Sequence, residues 1–112
     1  MSVVKINAIE VPEGRGPELE ARFAKRAGEV ENMPGFEGFE LLRPVSGENR
    51  YFVYTRWETE DAFQAWVNSK EFVRGHAQAA KDRGEQPVAH GSELLAFEVV
   101  QKVERPEGAP AP

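Results

Sequence analysis

A strand asparagine, a helical tryptophan, two histidines and a pair of arginines one helical turn apart are the side chains of this sequence with chemistry to offer. His76 follows Phe72 by four residues, so on a helix an imidazole and an apolar ring share one face. An ordinary half-buried helix histidine satisfies that pattern, while His90, just before Gly91, reads as a solvated turn residue. Asn7 falls inside an alternating strand, where asparagine is depleted and a buried amide without partners costs ~1–3 kcal/mol. Either a neighbouring strand or loop satisfies that amide, or it donates to something bound. Trp66 lies three residues after Phe63, which by itself is a normal apolar stripe. Arg22 and Arg26 flank the stripe Leu19, Phe23, Ala27 and Val30. Such arginines usually face solvent, but a guanidinium also matches the geometry of a carboxylate, and Phe23 beside them is either core or pocket wall.

These residues need a scaffold, and the hydrophobic pattern supplies one. Residues 3–11 alternate as a strand, with Val4, Ile6 and Ala8 on one face and Val3, Lys5, Asn7 and Ile9 on the other. Gly14-Arg15-Gly16 is a turn, and Pro17 suits the first turn of a helix whose stripe runs to Val30. Pro34-Gly35 ends it. Residues 36–43 and 50–57 read as a hairpin with a longer loop. Thr59 caps a short helix carrying Phe63 and Trp66, and Asn68 starts a further one, carrying His76, to about residue 81. Residues 82–91 form a loop and a candidate lid, and 94–103 a last strand. The order strand, helix, strand, strand, helix pair, strand predicts an α+β fold of the ferredoxin-like, split βαβ kind, with helices on one face of an antiparallel sheet. The uncovered face, apolar in its turn, predicts a two-fold homodimer.

At 112 residues the chain is the size of one domain, expected over residues 1–103, with 104–112, rich in Pro, Gly and Ala, as a disordered tail. The absence of cysteine excludes disulfides, thiolate nucleophiles, iron–sulfur clusters and cysteine-rich zinc sites. No charged-then-apolar leader and no span of ~20 apolar residues is present, so a cytoplasmic protein is expected. A net charge of −5 without a basic, aromatic-laced cluster argues against nucleic-acid binding. Gly14-x-Gly16 lacks the third glycine and the setting of a dinucleotide site.

Asn7, Trp66 and His76, with the stretches 3–9, Asn32-Met33-Pro34-Gly35-Phe36 and 57–66, resemble the active-site set of the small bacterial haem-degrading monooxygenases. The chain is similar, up to about residue 102, to the IsdG/MhuD type within the antibiotic biosynthesis monooxygenase (ABM) superfamily. That resemblance implies a dimeric α+β barrel, and haem as both cofactor and substrate. His76 would be the proximal iron ligand. Cysteine is absent, Met1 and Met33 sit at a terminus and a turn, and Tyr51 and Tyr54 belong to a strand, so no other residue type competes well. Asn7 would donate a hydrogen bond to dioxygen or peroxide on the iron. Trp66 would press on the porphyrin and ruffle it, with roughly 1–5 kcal/mol of distortion drawn from other contacts. Arg22 and Arg26 would reach the propionates, and Phe23 would wall the pocket.

Electrons must then come from an external donor, a separate reductase. Two other readings stay open: a cofactor-independent monooxygenase of aromatic polyketide-like substrates, and a haem-binding protein without turnover.

Overall fold

The structure, a computed structural model, describes residues 1–25, 30–69 and 91–106. Strand β1 (Val3–Glu10) leads into helix α1 (Gly16–Ala24), a single 3₁₀ turn (Val30–Asn32), the strands β2 (Phe36–Leu42) and β3 (Tyr51–Trp57), helix α2 (Glu60–Val67) and strand β4 (Gly91–Glu98). The strands form one antiparallel sheet in the order β2-β3-β1-β4, so the two central strands are the first and third in sequence. This is the expected split βαβ arrangement. The helix and loop expected over 68–91 fall, apart from their first and last residues, outside the described residues, and so do 107–112.

Cross-strand register decides which residues meet the helices. Val3, Lys5, Asn7 and Ile9 pair with Trp57, Thr55, Val53 and Tyr51 of β3, and facing residues of antiparallel strands share a sheet face. Tyr51 packs with Leu19 of α1 and Trp57 with Phe63 and Trp66 of α2. Both helices therefore cover this one face, α1 over the start of β3 and α2 over its end. Asn7, opposite Val53, lies in the row between them.

Several element ends differ from expectation. The apolar stripe of α1 extends to Val30, yet the α-helix stops at Ala24 and Val30 belongs to the 3₁₀ turn. The last strand begins at Gly91 and ends at Glu98 instead of spanning 94–103, because Glu10 of β1 offers a backbone partner to Gly91. Past it, Val99 N–H still bonds Ser2 O at 2.9 Å, but residues 99–106, including the first three expected of the tail, carry no regular structure. β2 also holds a bulge: Phe36 pairs with Trp57 and Gly38 with Arg56, leaving Glu37 as the extra residue. The bulge resets the alternation so that Phe36, Phe39 and Leu41 all turn toward the helices.

Two local devices fix the helices. Thr59 Oγ1 accepts the Ala62 N–H at 3.1 Å, the expected N-cap of α2. Gly35, at φ +82°, lets α2 approach so closely that a Cβ there would come within 2.5 Å of the Ala62 Cβ. On α1, Tyr51 Oη donates to Glu20 at 2.6 Å and Arg43 forks onto the same carboxylate at 2.9 and 2.5 Å. That clamp ties the helix to β3 and to the residue following β2.

Candidate functional site

Asn7 stands in the middle of the helix-side face, half-buried, with Val53 beside it on β3 and Leu94 on β4. Leu41 lies beyond Val53 in the same row. Among the described residues the Asn7 side-chain amide has no hydrogen-bond partner. The expectation that a neighbouring strand or loop satisfies it is thus not met by any described group, and a donor and an acceptor point from an otherwise apolar floor. Leu94 is 58% exposed and Phe39, on the same face, 41% exposed, so this floor is open rather than sealed as core.

Trp66 sits on α2 and stacks on Trp57, centroids 6.5 Å apart and planes 25° from parallel. Trp57 is fully buried, with Phe36 and Phe63 set edge-on to it at 5.5 and 6.0 Å. Core packing, the plain reading of Trp66, therefore holds for one of its faces. The residue as a whole remains only half-buried.

Lys5, two residues before Asn7 and on the same face, is buried, 9% exposed, with Nζ 2.7 Å from Glu60 Oε1 and 4.8 Å over the Phe63 ring. The Lys5 hydrogen bond, and then the Gln64 amide, hold the Glu60 carboxyl below the usual carboxylate range. Strand β1 and helix α2, which carry Asn7 and Trp66, are thus joined by an ion pair as well as by apolar contact. Alternation alone gives no sign of it, since the partner lies 55 residues along the chain.

Arg22 and Phe23 come from the other helix. Arg22 Nη2 donates to Glu18 Oε1 at 3.2 Å, and Arg15 binds the other oxygen of that carboxylate at 2.9 and 2.7 Å. Phe23 packs on the Leu19–Tyr51 core and approaches Phe39 at 6.3 Å. Its two expected roles, core and pocket wall, are compatible, since Phe39 borders the open floor. His76, Arg26 and His90 lie outside the described residues. The structure brings Asn7, Trp66 and Phe23 to one side of the sheet, with Arg22 on the helix that carries Phe23.

Among the described residues no group of three His, Asp or Glu side chains could hold a metal ion, and no helix is long and apolar enough to cross a membrane. A separate recess of about 300 Å³ is lined by Ala8, Glu10, Arg50, Gly91, Ser92 and Glu93. It contains none of the candidate residues, and Arg50 there is already bound at 3.0 Å by both Glu48 and Glu93.

A family model described as antibiotic biosynthesis monooxygenase matches residues 2–78. The heme oxygenase (mycobilin-producing) of Mycobacterium tuberculosis strain H37Rv is 61% identical over 103 residues, which cover 92% of this chain and 93% of that protein. Among solved structures, the heme-degrader MhuD from Mycobacterium tuberculosis, with two hemes bound in its active site, matches with a TM-score of 0.73. It shares 58% identity and is covered to 99%, against 91% of this chain. SnoaB, a cofactor-independent oxygenase from Streptomyces nogalater, matches with a TM-score of 0.68 at 28% identity, over 93% of this chain and 98% of its own. With a family match over most of its length, a relative this similar and the split βαβ sheet in place, the chain belongs to the antibiotic biosynthesis monooxygenase family.

Proposed function

We propose that this protein is a haem-degrading monooxygenase, which opens the porphyrin ring with dioxygen and external electrons and releases iron and an open tetrapyrrole. The observation that carries the reading is the 61% identity to a heme oxygenase across 92% of the chain. The helix-side floor fits such a substrate, because Val53, Leu41 and the exposed Leu94 offer apolar contact around an amide without a partner among the described residues. Haem, when bound, supplies the iron at which dioxygen is activated.

The chain's own residues bind, orient and bend that substrate. His76 is assigned to hold the iron through its neutral imidazole. The Asn7 amide supplies the hydrogen-bond donor for the oxygen being activated, in a setting of low polarity where such a donor is most effective. Trp66, backed by Trp57, supplies the hard surface against which the macrocycle bends. Arg22 and Arg26 are assigned to the propionates and Phe23 to the wall. Glu18 keeps Arg15 as its partner when Arg22 turns to a propionate.

We assign the catalytic unit to residues 1–103, acting as a homodimer with a separate reductase, and 104–112 to a tail. Similarity to SnoaB supports a second reading, cofactor-independent oxidation of an aromatic substrate on the same floor. Titration with haemin followed by reductant and air tests these alternatives. A saturable Soret band that is then bleached, with free iron released, is expected. A stable Soret band would indicate haem binding without turnover, and no band at all would favour the SnoaB-like reading.

A further inference from the structure

A side chain that bends a macrocycle feels an equal force in return, so its rear face must rest on something that does not yield. We propose that Trp57 is a positioning residue for Trp66, holding the plane of its indole through a hydrogen-bonded relay that starts on the strand of Asn7. The inference rests on the assignment of Trp66 as the distorting residue. Trp57 has no room to move, being fully buried and packed at steep angles against Phe36 and Phe63. Its ring orientation is specified too, because Nε1–H donates to Thr55 Oγ1 at 3.0 Å. Turning the indole over would leave that donor buried without a partner.

The Thr55 hydroxyl is committed in both senses. It accepts from Trp57 and donates to the Lys5 carbonyl at 3.3 Å, using its one hydrogen and one of its lone pairs. Lys5 lies two residues from Asn7 and grips α2 again through Glu60. Thus the relay Lys5 carbonyl, Thr55 hydroxyl, Trp57 N–H and stacked Trp66 refers the distorting ring to the same strand that carries the oxygen-side amide. A slip of either would alter where the bend falls relative to the donor.

Thr55→Val, close in volume, removes the relay while leaving the packing, and Thr55→Ser keeps the hydroxyl and loses only the methyl. Trp57→Phe removes the N–H and shrinks the support. In haem-free protein two stacked indoles give an exciton couplet in the circular dichroism spectrum, which reports their mutual angle without any substrate. The couplet should lose amplitude in Thr55→Val, vanish in Trp57→Phe and return in Thr55→Ser. With haem added, the out-of-plane skeletal bands of the resonance Raman spectrum should shift in Thr55→Val toward their positions in Trp66→Ala, and recover in Thr55→Ser. Unshifted bands in both Thr55→Val and Trp57→Phe, where Trp66→Ala does shift them, would overturn the positioning role alone. Unshifted bands in Trp66→Ala itself would overturn the assignment of Trp66 and this inference with it.

Discussion

At the scale of single residues, Asn7 is the clearest test of the proposed chemistry, because its amide faces an apolar floor with no described partner. Asn7→Ala should still take up haem but slow its degradation roughly 10²-fold, the usual cost of deleting one donor aimed at developing charge. Degradation at the wild-type rate would remove it from the site. Trp66→Phe should keep part of the distortion and Trp66→Ala should relax it, which the ratio of ring-opened products reports; an identical ratio in Trp66→Ala would end the steric argument. For the iron, His76→Ala should weaken haem binding and abolish turnover, whereas His90→Ala should leave both nearly intact, and equal loss in the two would refute the assignment. The face of Asn7 was legible from strict alternation, since polarity on one side of a strand survives any tertiary arrangement. Lys5 was not. A lysine in an alternating strand reads as solvent-facing, and its burial depends on Glu60 and Phe63 arriving from a helix that alternation cannot place.

Elements carry a different kind of evidence, because their docking depends on a few polar clamps with predictable titration. Glu20 is held down to about 2 from an ordinary 4.5, first by the Arg43 hydrogen bonds and then by that of Tyr51. A carboxylate whose pKa is lowered on folding adds stability that is complete above its unfolded pKa and lost as pH falls through the folded one. Docking of α1 should therefore weaken between about pH 4.5 and 2, and Glu20→Gln should flatten that part of the acid unfolding curve; an unchanged acid limb would show that the clamp does not hold the helix. Conversely, the Tyr51 hydroxyl is pushed above its usual 10, chiefly by donating to Glu20 and then by burial, so stability from it is lost on the alkaline side. For α2, Thr59→Ala removes the cap on Ala62 N–H and should cost about 1 kcal/mol, read as a lower thermal midpoint, while Thr59→Ser should recover most of it. The cap and the chain reversal at Gly35 were both visible in the sequence, as each depends on local residue chemistry. The bulge at Glu37 and the start of β4 at Gly91 were not, because backbone partners in other strands decide them.

The whole molecule raises the question of what covers the second face of the sheet. Val4, Ile6 and Ala8 pair there with Arg56, Tyr54 and Phe52 on β3 and with Phe97, Leu95 and Glu93 on β4, while both helices lie on the opposite side. Phe97 is 52% exposed and Leu42, beside Phe52, 39% exposed. Exposed aromatic and aliphatic side chains on one sheet face are of the kind that soluble monomers leave in water only as small patches. A second copy with the same face would bury it symmetrically, and the floor holding Asn7 and Trp66 would remain within each subunit. Sedimentation at micromolar concentration should then give twice the chain mass with or without haem. Phe97→Glu should shift the equilibrium toward monomer, since it places a carboxylate in the apolar patch, on the edge strand β4, at a position whose exposure spares the fold of the single chain. A haem-free monomer that pairs only when haem is added would put the substrate at the interface instead, and a monomer under both conditions would mean that this face is solvated.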